Sequence, residues 1–277
     1  MNVYSVRDCV DENIWGRIYI ASKNKVLLHF LRVADICSET RFREEAKYKR
    51  FLEYLRIVVE ALDGLNHVFI KLRKPVVYVP SDIDVLIDRR HVVEAIARLV
   101  KKGFNVVVAE PYCVTMVRRD CVVDLYIYPT MGGVIYLDSE ELFRHVEYSL
   151  FNGIEVPVLR TYAEVLMTLA HAVYKERVYT LNDYVTVKLW FSKKTLELAE
   201  KLRCLDAVNK ALAMHRLVEK QSIVLPYRIP LAEWIDILRS KIMRDELSRA
   251  TLPNILKTLR DRRFGRLILS KLTRETY

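Results

Sequence analysis

The sequence predicts an α+β protein: a mixed β-sheet core flanked by N-terminal helices and followed by a helical C-terminal region. Three observations predict it. Residues 39–62 place Phe51, Leu55, Val58, Val59 and Leu62 at helical spacing and stop at Gly64. Residues 67–128 change texture to short valine- and isoleucine-rich runs, broken by Pro75, Pro80, Gly103 and Arg119-Asp120. From Thr161 onward the apolar spacing is helical almost to the end. A boundary near 159 divides the 277 residues into two units of ordinary domain size, 1–158 and 159–277.

Within the first unit, Ser22 is expected to cap a helix carrying Val26, Leu27, Phe30, Leu31 and Ala34. The helix over 39–62 is the second. Strands are expected at 67–72 and 81–88, then a helix over 91–102 with Val92, Ala95, Ile96 and Leu99 inward. Further strands fall at 106–108, 113–117 and 121–128, with Arg119-Asp120 as the tight turn between the last two. Asn152-Gly153 marks a later turn, and Val156-Pro157-Val158 leads out of the sheet. In the second unit the spacing predicts helices over 161–175, 182–190, 194–202, 205–219, 231–250 and 252–262. Trp190, Phe191 and Trp234 lie in their apolar stripes and are read as core.

Composition narrows the class. With 52% hydrophobic and 29% charged residues the chain can bury a core, which excludes a disordered protein. No apolar run reaches the length of a membrane span. Met1 to Asp8 lack the basic-then-apolar order of a signal peptide, so a cytoplasmic protein with no membrane partner is expected. Cys9, Cys37, Cys113, Cys121 and Cys204 include no Cys-x-x-Cys pair, which fits neither a disulfide framework nor structural zinc. The net charge is +10, and residues 239–277 hold eleven basic residues against Asp245, Glu246, Asp261 and Glu275. Seven of the ten net charges therefore sit in this tail, which suits a polyanion such as RNA. A solvated basic helix face would leave the same pattern.

Two segments carry chemistry: Ser81-Asp82-Ile83-Asp84-Val85-Leu86-Ile87 and Cys121-Val122-Val123-Asp124-Leu125-Tyr126-Ile127. Side chains two apart on a strand point the same way, so Asp82 and Asp84 share a face. A lone carboxylate in an apolar strand, as at Asp124, is costly unless paired, hydrogen-bonded or bound to a metal. Three acids on neighbouring strands could hold two divalent cations. Magnesium suits such a site, because it combines a few carboxylates with substrate phosphates. Two such ions serve transfer of a nucleotidyl group from a nucleoside triphosphate (NTP) to a hydroxyl. Ser81 opens the strand as a turn residue or as a hydrogen-bond donor to phosphate. Tyr126 and Tyr128 share the Asp124 face, either as packing or to stack on a base.

Over residues 65–130 these motifs resemble the nucleotidyltransferase superfamily with the DNA polymerase β-type fold. That family has a strand ending in a glycine-serine loop, then Asp-x-Asp, a helix, and a third acid on a later strand. Here Ile70-Lys71-Leu72-Arg73-Lys74-Pro75 replaces the glycine-serine pair, as in an uncharacterised prokaryotic and archaeal branch where a lysine follows the strand. The resemblance implies two Mg2+ ions held by Asp82, Asp84 and Asp124, an NTP substrate, and Lys71 meeting phosphate by charge. His171-Ala172-Val173-Tyr174-Lys175 and Thr180-Leu181-Asn182-Asp183 are similar to a lysine and an acid that several branches place beside the nucleotide. This implies Lys175 on the triphosphate and Asp183 orienting it. His171 and Lys175, four apart, would share a helix face, and Asp183 also stands at capping-box spacing from Thr180. The expected activity is Mg-dependent nucleotidyl transfer, with an RNA 3′ end such as that of tRNA as preferred acceptor. Protein or small-molecule acceptors remain open, as does a catalytically silent nucleotide- or RNA-binding module.

Overall fold

The computed structural model describes residues 12–255. It opens with three helices where the sequence suggested two: α1 (Glu12–Lys23), α2 (Leu27–Val33) and α3 (Glu39–Leu62). Ser22 lies inside α1 and caps nothing; α2 begins at Val26 without a side-chain cap. Lys25, in a left-handed conformation at φ 57°, separates the two helices. The third helix matches its predicted limits. Ser38 caps it by accepting the Arg41 N–H at 3.3 Å, and Gly64 leaves it at φ 73°, where a Cβ would be strained.

The strands among the described residues are β1 (His67–Phe69), β2 (Ile83–Ile87), β3 (Asn105–Glu110), β4 (Cys113–Arg118), β5 (Cys121–Tyr126), β6 (Thr130–Met131), β7 (Val134–Ile135), β8 (Val146–Phe151), β9 (Ile154–Leu159), β10 (Val178–Tyr179) and β11 (Tyr227–Arg228). Seven of them form one sheet in the order β3-β4-β5-β2-β1-β9-β8. The β2/β5 and β1/β9 pairs are parallel and the rest antiparallel, so the sheet is mixed. One expectation fails here. Residues 156–158 do not leave the sheet, because β9 sits inside it between β1 and β8. Asn152-Gly153, at φ 50° and 76°, makes the β8–β9 hairpin. Pro157 hid the strand, since a residue without an N–H argues against an interior position.

Alternation across β2 and β5 sorts the two faces. Ile83, Val85, Ile87, Val123 and Leu125 pack with Phe51, Leu55 and Val58 of α3 and with Ala95 and Leu99 of α4 (Val92–Lys101). Leu86 and Tyr126 face the C-terminal helices instead. These are α5 (Ser139–Phe143), α6 (Thr161–Ala170), α7 (Leu181–Trp190), α8 (Lys193–Lys201), α9 (Leu205–Glu219), α10 (Leu231–Arg244) and α11 (Glu246–Thr251). With both faces covered, every residue of β2 is buried, which is why its sequence is a nearly unbroken apolar run. The one polar exception, Asp84, shares parity with Leu86 and so lies on the helical side.

Three helical details differ from the sequence reading. The 161–175 helix is α-helical only to Ala170 and continues as a π-helical turn, His171–Glu176. The 231–250 helix breaks at Asp245, whose carboxylate accepts the Leu247 N–H and starts α11. Most of the 252–262 helix and the last basic residues lie outside the described residues, as does Cys9. Trp190, Phe191 and Trp234 pack half-buried against the core, and Trp234 Nε1 donates to the Tyr174 carbonyl at 3.1 Å. Cys113, Cys121 and Cys204 are buried and Cys37 is exposed, all four as free thiols. No helix among the described residues is long and apolar enough to cross a membrane.

Leu55 is fully buried between α3 and the sheet. Leu55→Ala is expected to cost about 2–5 kcal/mol, read as a lower urea midpoint at unchanged slope.

Candidate active site

Strand register brings the acids together. In the parallel β2/β5 pair, Asp84 stands directly opposite Asp124. Asp82 lies one residue before β2 rather than within it, yet its carboxylate converges on the other two. One oxygen from each of Asp82, Asp84 and Asp124 lies within 4.8 Å of the others. Asp124 is half-buried and well held. Its oxygens accept from Thr115 Oγ1, its cross-strand neighbour on β4, at 2.6 Å and from Tyr126 Oη at 3.2 Å. Asp84 is less provided for. Its Oδ2 meets the Lys71 ammonium at 2.7 Å, while its Oδ1 is buried with no hydrogen-bond partner among the described residues.

The electrostatics follow from this crowding. Burial, reinforced by Asp82, pushes Asp84 up to about 7 despite the pull of Lys71. Burial works the same way on Asp82, but there Lys71 and Lys25 outweigh it and hold the carboxyl below its usual range. Lys71 answers in kind: burial would lower its ammonium, and the two aspartates together raise it instead. Three carboxylates with an orphaned buried oxygen form a hard, all-oxygen donor set. That set fits magnesium or manganese.

Beside the acids opens a cavity of about 260 Å³. Four lysines line it from separate parts of the chain: Lys25 between α1 and α2, Lys47 on α3, and Lys71 and Lys74 in the loop after β1. Four acids line it too, Glu44, Asp82, Asp84 and Asp183, so the cavity is close to neutral by itself. Divalent cations on the aspartates would tip the balance toward a polyphosphate. Ser81 also lies in the wall and donates to Asp82 Oδ1 at 3.0 Å. The sequence singled out Lys71; it gave no reason to join Lys25 or Lys47, which arrive from the N-terminal helices.

The other singled-out residues are placed as follows. Lys175 is absent from that cavity lining; its ammonium donates to Tyr126 Oη at 2.8 Å and so connects through the tyrosine to Asp124. His171 does line the cavity, buried, with Nδ1 3.5 Å from Tyr136 Oη. The π-helical turn thus sends His171 and Lys175 to different neighbours. Asp183 borders the cavity while closing a capping box on α7: its Oδ2 accepts the Thr180 N–H at 2.9 Å and hydroxyl at 2.7 Å. Glu164, which the sequence did not flag, is 1% exposed on α6, and its Oε2 accepts the Lys71 N–H at 3.2 Å. Burial raises its carboxyl to about 7 against the pull of Lys74.

No protein-family model matches the sequence, and no curated protein matches it. Among solved structures, the chain is similar to the antibiotic-resistance factor ANT(2'')-Ia in solution, at 15% identity and TM-score 0.35. That match covers 63% of this chain and 94% of the other. It is also similar to crystalline ANT(2")-Ia in complex with adenylyl-2"-tobramycin, at 14% identity and TM-score 0.36, over 63% and 99% of the two chains. At this level of likeness the functional reading rests on the geometry of the site itself.

Two outcomes are expected. Lys71→Met strips Asp84 of its buried partner and should cost about 3–5 kcal/mol in the presence of chelator. Millimolar Mn2+ should then raise the melting temperature of the variant more than that of the parent; no metal response would remove the acids as a cation site. The second concerns pH. A carboxyl raised on folding stabilises the protein most below its unfolded value, and that contribution is lost as pH rises through the folded value. For Glu164 the window runs from 4.5 to about 7. In chelator, Glu164→Gln should therefore lose less stability than the parent between those limits, as followed by urea melts; parallel curves would contradict this.

Proposed function

We propose that this chain is a Mg2+-dependent nucleotidyltransferase that moves a nucleoside monophosphate from an NTP to an acceptor hydroxyl. The observation that carries the reading is the meeting of three carboxylates, within 4.8 Å, beside a cavity holding four lysines. Asp82, Asp84 and Asp124 would hold the magnesium ions, which supply charge neutralisation on phosphate and a more acidic acceptor hydroxyl. Lys71, Lys74 and Lys25 bind non-bridging oxygens of the triphosphate as point charges. Anchored in this way, the α-phosphorus faces the aspartates.

The chemistry is an in-line displacement. The acceptor oxygen forms a bond to the α-phosphorus as the bond to the α,β-bridging oxygen breaks, and pyrophosphate leaves with that electron pair. The acceptor proton passes to the carboxylate of Asp124, which Thr115 and Tyr126 keep oriented by hydrogen bonds. Lys175, through Tyr126, holds positive charge near that acid.

RNA is the preferred acceptor, and the basic tail supports it. Within the described residues Arg239, Arg244 and Arg249 are exposed. Lys241 is not available, because it is buried against Asp245 and the Leu202 carbonyl at the end of α8. The remaining basic residues lie beyond residue 255. One observation favours a second reading, a catalytically silent binding module: the Lys71 ammonium pairs with Asp84 Oδ2 at 2.7 Å and competes for an oxygen that a cation would use.

Incubation with each α-labelled NTP, Mg2+ and total RNA is expected to transfer label to RNA, and Asp82→Asn/Asp84→Asn should abolish it. Label on protein instead of RNA would overturn the acceptor. Nucleotide binding without any transfer would give the silent module precedence.

A further inference from the structure

The loop after β1 lacks glycine, yet it turns as a glycine loop does. Lys71 has φ 59°, a left-handed conformation that is sterically costly for a residue with a Cβ. Sheet pairing continues up to this point, since the Ile70 N–H donates to the Asp84 carbonyl at 3.0 Å. Ile70 and Leu72 on either side are both buried. Each polar group of Lys71 then has its own anchor. Its N–H donates to Glu164 Oε2 at 3.2 Å, its carbonyl accepts from Tyr78 Oη at 2.5 Å, and its ammonium meets Asp84 at 2.7 Å.

We propose that Glu164 and Tyr78 are positioning residues that clamp the Lys71 peptide from both sides, fixing the left-handed turn that aims its ammonium at the phosphate-binding cavity. The clamp replaces with side chains what a glycine loop achieves by having none. Glu164 is ill suited to be mere filling. It is 1% exposed, and its second oxygen has no hydrogen-bond partner among the described residues, a cost that an apolar residue would avoid. Thr168, one turn along α6 from Glu164, accepts from the Lys74 ammonium at 2.5 Å. The same helix face therefore holds both loop lysines that line the cavity.

The inference rests on the NTP reading, and a binding cycle separates the two. The probes are the α,β-methylene analogues of the four NTPs, titrated calorimetrically with Mg2+, taking the one that binds tightest. Glu164→Ala should weaken binding up to roughly tenfold, the upper value of an ordinary hydrogen bond. Glu164→Gln, which keeps an acceptor for the Lys71 N–H, should recover most of that loss. Tyr78→Phe should weaken binding several-fold. It changes little volume, so it carries the test if Glu164→Ala does not fold. In a Lys71→Ala background neither substitution should cost anything further, because the side chain they aim is gone. Equal fold losses in both backgrounds would overturn the clamp while leaving the NTP site intact. Failure of the parent protein to bind any analogue would overturn the NTP reading and the clamp with it.

Discussion

The register of β2 against β5 forces Asp84 and Asp124 side by side, and Asp82 follows because it is two residues upstream. Like charges at the 4.8 Å limit of this cluster repel by about 3 kcal/mol per pair in a medium of effective dielectric near 20. That is a large part of the roughly 5–15 kcal/mol by which a domain is stable. The fold must therefore supply compensation. It comes from the Lys71 ammonium on Asp84, from Thr115 and Tyr126 on Asp124, and from Lys25 near Asp82. Much of the surrounding polar structure is explained by this one requirement.

The two faces of the sheet divide the labour. Towards α3 and α4 the side chains are apolar and set stability. Towards the C-terminal helices the same strands present the acids, and α6 meets them there. Its face supplies Glu164 to the Lys71 backbone and Thr168 to Lys74. The π-helical turn that follows contributes His171 to the cavity wall and Lys175 to Tyr126. Such turns occur often at functional sites, where an altered helical pitch redirects side chains. The N-terminal helices close the cavity from the other side with Lys25 and Lys47.

What was legible in the sequence was what is local or strictly periodic. Helix α3 showed itself by its apolar stripe and its stop at Gly64, and the acids by the Asp-x-Asp spacing and the lone carboxylate in an apolar run. The Asp183 capping box needed only the three-residue offset from Thr180. Features that depend on distant partners stayed hidden. Glu164 reads as one acid in a helix, and nothing near it tells that it lies 93 residues along from the amide it holds. Lys25 and Lys47 look like exposed helix lysines until the N-terminal helices are folded over the sheet. Pro157 actively misled, since its sheet position is set by neighbours on both sides rather than by propensity. Ser22 misled for the opposite reason: a good capping residue is uninformative when the helix simply runs through it.

The central claim is that the three carboxylates are a cation site that turns a nearly neutral lysine cavity into one for a polyphosphate. Electron paramagnetic resonance of Mn2+, titrated with and without an α,β-methylene NTP analogue, tests it most directly. The account predicts that nucleotide and Mn2+ bind together, each tightening the other, and that Asp82→Asn/Asp84→Asn/Asp124→Asn abolishes that coupling. Nucleotide binding of equal strength in chelator, with no Mn2+ retained, would contradict it.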